Sequence, residues 1–508
     1  MTLGSFYLLT ARTFRVTEVS LSLLGKTETM SNMKSNYING QWVGSSQGRE
    51  NYNPSDLDSL VGTYAVADEQ MTQDAIAAAQ AAWPKWNAVG LEQRGTILTS
   101  IGNEIIARKE ELGKLLSSEE GKPHAEGMGE VMRAGQFFQY YGGECLRQVD
   151  DFAMSVRANV EADCRREPVG VVGIITPWNF PIAIAAWKAA PALAYGNSVV
   201  LKSADLVPAS AWALTEIISR HGLPDGTFNL VMGRGSVVGE TLITSPDVDA
   251  ITFTGSDATG RHIARAAAEN LTKLQMEMGG KNPIVVLNDA DLDTAVASAV
   301  NGAFFATGQR CTASSRMIVQ EGIHDKFVAG VTEAIKNLKV GHALEAGTQL
   351  GPVVDEKQFS TNMKYMDIGK SEANLVWGGE ALEQKTRGYY MSPALFTEAN
   401  NQMRISREEI FGPIASVIRV KDYDEALEVS NDTPFGLTSA IITSSLKHAT
   451  HYKRNSVSGV VTVNLPSAGV DYHLAFGGRK GSSYGSREQG QYAKEFFTTV
   501  KTTYTNPM

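Results

Sequence analysis

The pattern of hydrophobic and polar positions changes along this chain near Pro168. Before that residue, Asp68–Trp83 and Leu91–Glu120 repeat apolar positions at helical spacing, and Pro84 is expected to end the first helix. Beyond it, short apolar runs bounded by glycine and proline alternate with amphipathic stretches. This alternation predicts a doubly wound α/β fold with a parallel sheet.

The second part of the chain divides into two α/β units. In the first, the predicted strands are 169–175, 197–202, 227–232 and 248–253, and the predicted helices are 182–195, 209–221 and one that begins at Ser236. The second unit starts near Lys281, with a strand at 283–287 and helices at 291–307 and 323–338. A parallel sheet of this kind binds nucleotides at the carboxyl ends of its strands. The final segment 495–504 is β-branched and aromatic without a helical stripe, which predicts a strand.

Length and composition narrow the class of protein. A chain of 508 residues suggests two or three domains. The net charge of -9 argues against nucleic-acid binding, which needs clustered Lys and Arg. No apolar run is long enough for a membrane helix or a signal sequence. The 8 histidines and 3 cysteines have no zinc or disulfide spacing, so we expect no metal and a reducing, cytoplasmic location.

The first segment, 1–34, is unlike the rest of the chain and is expected to be a leader outside the fold. Arg12 and Arg15 among scattered Ser and Thr are typical of a transit peptide, although two glutamates weaken that interpretation. Met30 and Met33 favour instead an over-extended start or a disordered tail. Both alternatives stay open from the sequence.

One cysteine lies in a setting that suits catalysis. Cys311 is between the glycine-led turn Gly308–Arg310 and the small polar residues Thr312–Ser315. A structural cysteine in a core strand or a helix stripe would have apolar neighbours instead. A nucleophilic cysteine needs a lowered thiol pKa, from a helix N-terminus or a nearby cation. We therefore expect Arg310 to supply that cation.

Three motifs resemble the signature sequences of a known family. They are Gly308-Gln309-Arg310-Cys311, Glu277-Met278-Gly279-Gly280-Lys281 and Pro177-Trp178-Asn179-Phe180-Pro181. Together they resemble the aldehyde dehydrogenase superfamily, in its order and spacing, from about Tyr37 to the end of the chain. Within that superfamily the chain most resembles the bacterial 2-oxoglutarate semialdehyde (2,5-dioxovalerate) dehydrogenases.

The resemblance implies a domain organisation. It assigns 35–149 and 169–279 to a variant Rossmann cofactor domain, 280–489 to an α/β catalytic domain, and 150–168 with 490–508 to a β-arm for oligomerisation. An ordinary surface loop is the alternative for the arm segment before Pro168. The implied assembly is a homodimer or homotetramer, in which the final strand pairs with a neighbouring subunit's sheet and so covers its open edge.

The resemblance also implies a reaction, the NAD(P)-dependent oxidation of an aldehyde through a cysteine thiohemiacetal and a thioester. Cys311 adds to the carbonyl, and the Asn179 side chain and the Cys311 N–H stabilise the oxyanion. Glu277 activates the water that hydrolyses the thioester. The rival from another class is a cysteine hydrolase or acyltransferase, which needs a histidine base, and no histidine lies in or beside these motifs.

For the cofactor, Phe253–Gly260 follows a predicted strand and opens a helix at 261–269, as a phosphate loop does, although it is not GxGxxG. A plain strand-turn-helix with a Ser256 N-cap is the alternative. Asp205 stands where the family has a glutamate against the adenosine ribose, and the shorter acid leaves room, so the cofactor is NAD or NADP. The residues that the resemblance assigns to cofactor binding are Trp178, Lys202, Asp205, Gly255, Ser256, Gly260, Gly279, Glu409 and Phe411.

For the substrate, Arg310 and Thr312 lie where the superfamily lines its channel. A cation there suits an aldehyde with a distal carboxylate, such as 2-oxoglutarate semialdehyde. The alternatives are that Arg310 only braces a loop, and that the substrate is a neutral aliphatic or aromatic aldehyde or glyceraldehyde 3-phosphate. The glycine loop Phe476–Ser483 resembles the family's substrate entrance and receives no catalytic role.

Overall fold

The computed structural model describes residues 32–507. The predicted leader therefore lies outside the described residues, except for its last three positions. Lys34 already belongs to the fold, because its N–H donates to Thr63 O at 2.8 Å and its ammonium lies 4.4 Å from the ring centroid of Trp212. The folded part thus begins slightly before the expected boundary at residue 35.

The described chain is built from helices and strands in alternation. The helices are α1 Glu69–Asn87, α2 Leu91–Ala107, α3 Lys109–Glu120, α4 His124–Glu144, α5 Pro181–Ala194, α6 Pro208–Ser219, α7 Glu240–Thr244, α8 Asp257–Glu269, α9 Leu292–Phe304, α10 Glu321–Lys336, α11 Glu356–Glu372, α12 Arg404–Arg407, α13 Tyr423–Asn431, α14 Leu446–Asn455 and α15 Lys494–Phe497. The strands are β1 Asn36–Ile38, β2 Gln41–Val43, β3 Gly48–Asn53, β4 Asp56–Ala65, β5 Asp151–Met154, β6 Glu161–Pro168, β7 Val171–Ile175, β8 Ser198–Lys202, β9 Phe228–Leu230, β10 Ala250–Thr254, β11 Lys273–Glu277, β12 Pro283–Val286, β13 Arg316–Gln320, β14 Asn374–Trp377, β15 Ala394–Ala399, β16 Ile414–Val420, β17 Thr438–Ile442, β18 Val460–Val463, β19 Ser483–Tyr484 and β20 Thr498–Thr505.

Two large sheets organise the molecule. The first has the order β19-β11-β10-β7-β8-β9-β1-β2, and its five central strands are parallel. The second has the order β14-β15-β16-β13-β12-β17-β18, with a parallel centre. Helices cover both sheets and bury separate apolar clusters against them. The predicted α/β fold is confirmed.

The first sheet takes a strand from a late part of the chain. β19 pairs antiparallel with β11, and this places Ser483 opposite Glu277. The sequence assigned 280–489 to the second domain, but the chain returns to the first sheet before residue 489. Such a return depends on pairing between residues more than 200 positions apart, which local patterns do not reveal.

Some predicted helix ends differ from the structure. Pro84 lies inside α1 and does not end it. The helix continues because Trp86 is fully buried and its indole N–H donates to Leu193 O at 2.9 Å, so packing outweighs the proline. The predicted helix at 91–120 is two helices, α2 and α3, that meet at Arg108.

The segments predicted as an arm form a third sheet, with the order β20-β6-β5. The partner of β20 is β6 of the same chain, from Thr498 opposite Pro168 to Thr505 opposite Glu161. Within residues 32–507 the other edge of β20 is unpaired, so the expected pairing with a neighbouring subunit's sheet stays a prediction. The strand also begins later than predicted, because the buried residues Phe496 and Phe497 lie in the helical turn α15.

Within residues 32–507 no helix is long and apolar enough to cross a membrane.

Candidate active site

The segment before Cys311 has an unusual backbone. The helix predicted at 291–307 ends at Phe304, and Ala306, Thr307 and Gly308 then adopt left-handed conformations with φ of 52°, 56° and 66°. Left-handed backbone costs about 1–2 kcal/mol for each residue other than glycine. A Cβ on Gly308 would lie 2.2 Å from Gly412 O, so only glycine fits this approach. Strain of this kind is typical of functional sites, where the surrounding structure holds it in place.

Side chains of the second sheet and its loops hold the Cys311 backbone. The amide of Asn282, just before β12, donates to Cys311 O at 2.7 Å and to Ala313 O at 3.0 Å. The Ser467 hydroxyl donates to Thr312 O at 2.7 Å. Thr312 is therefore fixed through its main chain, next to the thiol.

The thiol of Cys311 is not activated in this state. Burial raises the pKa of Cys311 to about 12, and the carboxylates of Glu409 and Glu277 add to the increase. No helix begins at Cys311, and Arg310 donates to Glu126 Oε2 at 2.8 Å, so a carboxylate compensates its charge. The expectation that Arg310 lowers the pKa of this thiol is therefore corrected.

Asn179 lies directly beside the cysteine loop. It follows β7, it is 4% exposed, and its amide donates to Gln309 O at 3.0 Å. Within the described residues its second amide hydrogen has no acceptor, which suits a donor for an oxyanion formed on a carbonyl held against Cys311. The structure thus brings together two of the three predicted catalytic residues.

A buried ion pair that the sequence did not predict fixes the backbone at Asn179. The Lys122 ammonium donates to Asn179 O at 2.6 Å and to Glu130 Oε2 at 2.7 Å. Glu130 Oε1 accepts from the N–H groups of Ile182 and Ala183 in the first turn of α5, at 3.1 and 3.2 Å. A carboxylate there satisfies free helix N–H groups and the helix dipole, and it anchors the loop that carries Asn179.

Glu277 ends β11 and is buried. The Ser483 hydroxyl of β19 donates to its Oε2. Burial, together with the nearby Glu488, raises the pKa of Glu277 well above the usual range of a glutamate. Burial therefore favours the protonated form of this carboxyl, and only the deprotonated form can act as a base.

The late glycine loop, which the resemblance places at the substrate entrance, contacts Glu277. A Cβ on Gly477 would lie 2.6 Å from Glu277 Oε1, and Ser483 is the hydrogen-bond partner of Oε2. The Ser482 hydroxyl donates to Gly279 O at 2.7 Å. The loop therefore positions the carboxyl and the Gly279 backbone, which is a role that the sequence did not assign.

Behind Glu277 lies a second buried ion pair that was not predicted. Lys188 of α5 pairs with Glu488, and its ammonium donates to Thr252 Oγ1 at 2.8 Å. Glu488 raises and Lys188 lowers the pKa of Glu277. A signal was present in the sequence, because Lys188 is the only charged residue of the otherwise apolar helix α5.

The residues predicted to hold the nicotinamide end of a dinucleotide meet in front of Cys311. The rings of Trp178 and Phe411 pack edge to face, with centroids 5.3 Å apart. Glu409 Oε1 accepts from Gly280 N at 2.9 Å, and a Cβ on Gly279 would lie 2.1 Å from Glu409 Oε2, so a side chain at position 279 has no space. Burial raises the pKa of Glu409 to about 7.

The predicted phosphate loop lies at the carboxyl end of β10. Ser256 caps α8, accepting from Thr259 N at 3.3 Å, so the N-cap alternative describes its side chain. The helix begins at Asp257 and not at residue 261. Gly255 and Gly260 lie against Phe253 and Met278, where a Cβ would approach those side chains to 2.5 and 2.4 Å.

The residues predicted to bind the adenosine end of the dinucleotide lie at a cleft. Its volume is about 930 Å³, and it lies beside the carboxyl ends of β8 and β9, with Asp205 in its wall. Lys202 Nζ donates to Asp205 Oδ1 at 3.3 Å. Within the described residues, the buried hydroxyls of Ser203 and Thr254, each just after or at the end of a strand, have no hydrogen-bond partner. A large cleft with free polar groups at strand ends fits a dinucleotide.

Comparison with known proteins decides the family. The aldehyde dehydrogenase family matches residues 42–503. This chain belongs to that family. It is 40% identical over 484 residues to the alpha-ketoglutaric semialdehyde dehydrogenase of Bacillus subtilis, which covers 94% of this chain and 99% of that protein. The alpha-ketoglutarate semialdehyde dehydrogenase of Haloferax volcanii is also 40% identical, over 481 residues that cover 94% of this chain and 99% of that protein.

A solved structure of the family agrees with the fold. The crystal structure of betaine aldehyde dehydrogenase from Staphylococcus aureus in complex with NAD+ has a TM-score of 0.91 and 32% identity, and the match covers 95% of this chain and 97% of that one. The predicted family is confirmed, and the chain is an NAD(P)-dependent aldehyde dehydrogenase.

Two features of the described residues bear on other chemistry in this aldehyde dehydrogenase. No three side chains among residues 32–507 converge as ligands for a metal ion. The histidines are 8 in number, and none hydrogen-bonds to Cys311, Glu277 or Asn179. The site therefore lacks the histidine base that a cysteine hydrolase needs.

Proposed function

We propose that this aldehyde dehydrogenase oxidises a semialdehyde with a distal carboxylate, such as 2-oxoglutarate semialdehyde (2,5-dioxopentanoate), to the corresponding diacid. The observation that carries the proposal is 40% identity, over nearly the full length, to two relatives named for that substrate. The roles proposed for Cys311, Asn179 and Glu277 follow from their contacts and apply to any aldehyde.

The first proposed step uses Cys311 and Asn179. The Cys311 sulfur forms a bond to the aldehyde carbon, the thiol proton leaves to a base, and the carbonyl oxygen becomes an oxyanion. The free amide hydrogen of Asn179 and the Cys311 N–H stabilise that charge. Each such donor contributes about 3 to 4 kcal/mol to lowering the barrier in acyl-transfer enzymes.

The dinucleotide, when bound, accepts the hydride that the thiohemiacetal carbon loses. Trp178, Phe411 and Glu409 surround the space in front of Cys311 and would hold its nicotinamide end. The thioester that remains on Cys311 is hydrolysed by a water whose proton Glu277 takes. Because the pKa of Glu277 is raised, this step should become faster as pH increases.

One face of α4 contacts the cysteine loop and the loop that carries Asn179, and it suggests where the substrate lies. Residues 126, 130, 133, 137 and 140 recur at helical spacing along it. Glu126 accepts from Arg310 and from Ala306 N in the cysteine loop. Glu130 holds the Asn179 loop. The face therefore runs from the cysteine outward.

Arg133 is the next residue on this face, and it supports an anionic substrate. Its guanidinium lies 5.3 Å from the ring centroid of Tyr472, and within the described residues it has no ion pair. Phe137, one turn further along, packs against Trp187 with centroids 5.9 Å apart. Seven residues of helix separate positions 126 and 133, or about 10 Å. An unpaired cation two turns along the helix from the residue that contacts the cysteine loop suits the far carboxylate of a short semialdehyde.

Arg310, predicted as the carboxylate anchor, is engaged elsewhere. Besides the pair with Glu126, its Nη1 donates to Asn301 O at 3.4 Å, and the side chain is 14% exposed. This arrangement matches the alternative in which Arg310 braces the cysteine loop. We therefore assign the anchor to Arg133 in preference to Arg310.

A substrate panel tests the proposal. Reduced-cofactor absorbance would give kcat/KM for 2-oxoglutarate semialdehyde, succinic semialdehyde, hexanal, benzaldehyde and glyceraldehyde 3-phosphate. We expect kcat/KM for the carboxylated semialdehydes to be about ten- to a hundredfold higher than for the other aldehydes. This ratio corresponds to the free energy of a hydrogen bond to a charged group. Arg133→Ala should remove this preference mainly through KM, whereas Arg147→Ala, an exposed arginine just beyond α4, should keep it.

Two outcomes would reject the substrate class. One is a wild-type preference for hexanal or benzaldehyde, which would favour the neutral-aldehyde alternative. The other is a preference for glyceraldehyde 3-phosphate. If Arg310→Leu, and not Arg133→Ala, removes the preference for carboxylated semialdehydes, the substrate class is retained and Arg310 is the residue that binds the carboxylate.

We also propose that the enzyme is a homodimer or homotetramer. The arm sheet presents exposed apolar side chains, among them Phe152 (70% exposed), Met154 (88%) and Val500 (56%), which favours burial against a second copy. Light scattering of the full chain should give two or four subunits, and a monomer would contradict this assembly. The cytoplasmic location stays a prediction.

A further inference from the structure

The adenosine cleft contains an arginine that neither the sequence patterns nor the comparisons single out. The cleft of about 930 Å³ lies between the β3–β4 hairpin and the loops that follow β8 and β9. In a doubly wound sheet, an acidic residue beyond the second strand of the first βαβ unit binds the ribose, and a nearby arginine accommodates a 2′-phosphate. β7, α5 and β8 form such a unit, and Asp205 follows β8. Arg49 of β3 lies beside it.

The carboxylate of Asp205 is compensated by two cations. Its Oδ1 accepts from Lys202 Nζ at 3.3 Å, and its Oδ2 accepts from Arg49 Nη1 at 3.2 Å. A free carboxylate would repel a 2′-phosphate, but a carboxylate shared between two cations leaves a net positive charge at this point. Arg234 adds a further cation to the cleft wall.

Most N–H donors of the Arg49 side chain have no hydrogen-bond acceptor within the described residues. Its side chain is 44% exposed, and the bond from Nη1 to Asp205 is its single contact of this kind within residues 32–507. A guanidinium has five N–H donors in a fork that matches phosphate oxygens. A phosphate bound at this point would therefore find unused N–H groups on a side chain that lines the cleft.

The position of Arg49 is set by the fold. The Asn51 amide, on the same strand, donates to Leu206 O at 2.6 Å in the loop that carries Asp205. At the other side of that loop, Glu119 accepts from Ala209 N and Ser210 N, at 2.8 and 2.7 Å, and holds the start of α6. The hairpin and the loop are thus fastened together, which preorganises the pair of Arg49 and Asp205.

We propose that Arg49 determines cofactor specificity, binding the 2′-phosphate of NADP so that the enzyme holds NADP at least as tightly as NAD. The chemical class of the ligand is a phosphomonoester on the adenosine ribose. This inference concerns dinucleotide binding without aldehyde and does not rest on the proposed substrate.

Direct binding measurements test it. Calorimetric titration of the full-length enzyme would give Kd for NADP+, NAD+, 2′,5′-ADP and 5′-AMP, the last two being probes that lack the nicotinamide. The wild type should bind 2′,5′-ADP more tightly than 5′-AMP. Arg49→Ala should weaken NADP+ and 2′,5′-ADP by about ten- to a hundredfold and change NAD+ and 5′-AMP by no more than about twofold. Arg49→Lys should lie between, because lysine keeps the charge without the fork.

Arg387→Ala is the matched control, since Arg387 forms an exposed pair with Asp58 and lies outside the cleft wall. It should leave all four Kd values unchanged. The proposal is overturned if Arg49→Ala weakens NAD+ and NADP+ equally or leaves their ratio unchanged, if the wild type binds 5′-AMP as tightly as 2′,5′-ADP, or if Arg234→Ala alone abolishes the difference. None of these results bears on which aldehyde is oxidised.

Discussion

The catalytic centre and the adenosine cleft each contain a carboxylate that pairs with a cation, but the two ion pairs differ in their exposure to solvent. Lys122 and Glu130 behind Asn179 are each 1% exposed at the side chain. Arg49 and Asp205 in the cleft are 44% and 22% exposed. A buried pair that loses one member leaves an uncompensated charge, whereas water replaces the partner in an open cleft. The first kind of pair therefore fixes backbone, and the second remains free to exchange with a ligand.

The two carboxyls beside Cys311 also differ from ordinary surface acids, because they are buried. Burial is the main cause that raises the pKa of both Glu277 and Glu409. It also raises the pKa of the Cys311 thiol. Burial therefore disfavours the charged form of all three groups, and a ligand that changes their solvation would change their protonation. The following experiments test this difference, beginning with the largest expected effect.

The largest effect should come from Cys311→Ala. Removal of the nucleophile should lower aldehyde oxidation by roughly 10⁵-fold or more, because no other group can form the thioester. Binding of NAD+ measured by calorimetry should remain, since the phosphate loop and the adenosine cleft are separate segments. Cys164→Ser should stay active. Substantial turnover by Cys311→Ala would remove this residue from the mechanism.

Glu277→Gln should slow steady-state turnover by about a hundred- to ten-thousandfold, the usual contribution of a general base. Acylation and hydride transfer precede the need for that base, so rapid mixing should show a burst of reduced cofactor close to one equivalent. In the wild type kcat should rise with pH, because the raised pKa leaves Glu277 protonated at lower pH. Loss of the burst would show that Glu277 acts earlier, on the thiol.

Lys122→Met should lower the free energy of unfolding by about 3–5 kcal/mol, because it leaves Glu130 charged and unpaired in the interior. Arg49→Ala should cost less than about 1 kcal/mol, as for exposed pairs. Urea unfolding of both variants measures the difference. The double variant Lys122→Met with Glu130→Gln should recover part of the loss. Equal losses for the two single variants would contradict the contrast between the sites.

The smallest effect concerns the reactivity of the thiol without cofactor. With a pKa of about 12, the thiolate fraction of Cys311 should rise about tenfold for each pH unit between about pH 7 and 9. Inactivation by iodoacetamide should follow the same slope, with Cys311→Ala as the control for other sites. A plateau below pH 9 would mean that a nearby cation lowers the pKa after all, as the sequence first suggested.

Local patterns were sufficient for the fold class and for the order of the central elements. Alternating apolar runs predicted β7, α5, β8 and α6 to within a few residues. The glycine before Cys311 indicated a tight turn, and Gly308 does pack against Gly412 with no space for a side chain. These features depend on neighbours in sequence, so periodicity and residue type report them directly.

The chemical state of the site required the tertiary structure. Arg310 is next to Cys311 in sequence, yet its charge is taken by Glu126, 184 positions away. Glu277 was predicted as a base, but burial is the main cause of its raised pKa, and Glu488, which adds to the increase, and Ser483, its hydrogen-bond donor, come from the far end of the chain. A pKa depends on burial and on every charge within a few ångströms, and both are fixed only when distant segments pack.

The sequence by itself therefore determined the fold class and the family, and it predicted which residues react. The tertiary structure decided that Arg310 braces a loop, that Lys122 holds the Asn179 backbone, and that Arg49 lies beside Asp205. The physical reason is the range of the interactions. Backbone propensity and apolar periodicity act over a few residues, whereas desolvation and ion pairing act between groups that the chain brings together from far apart.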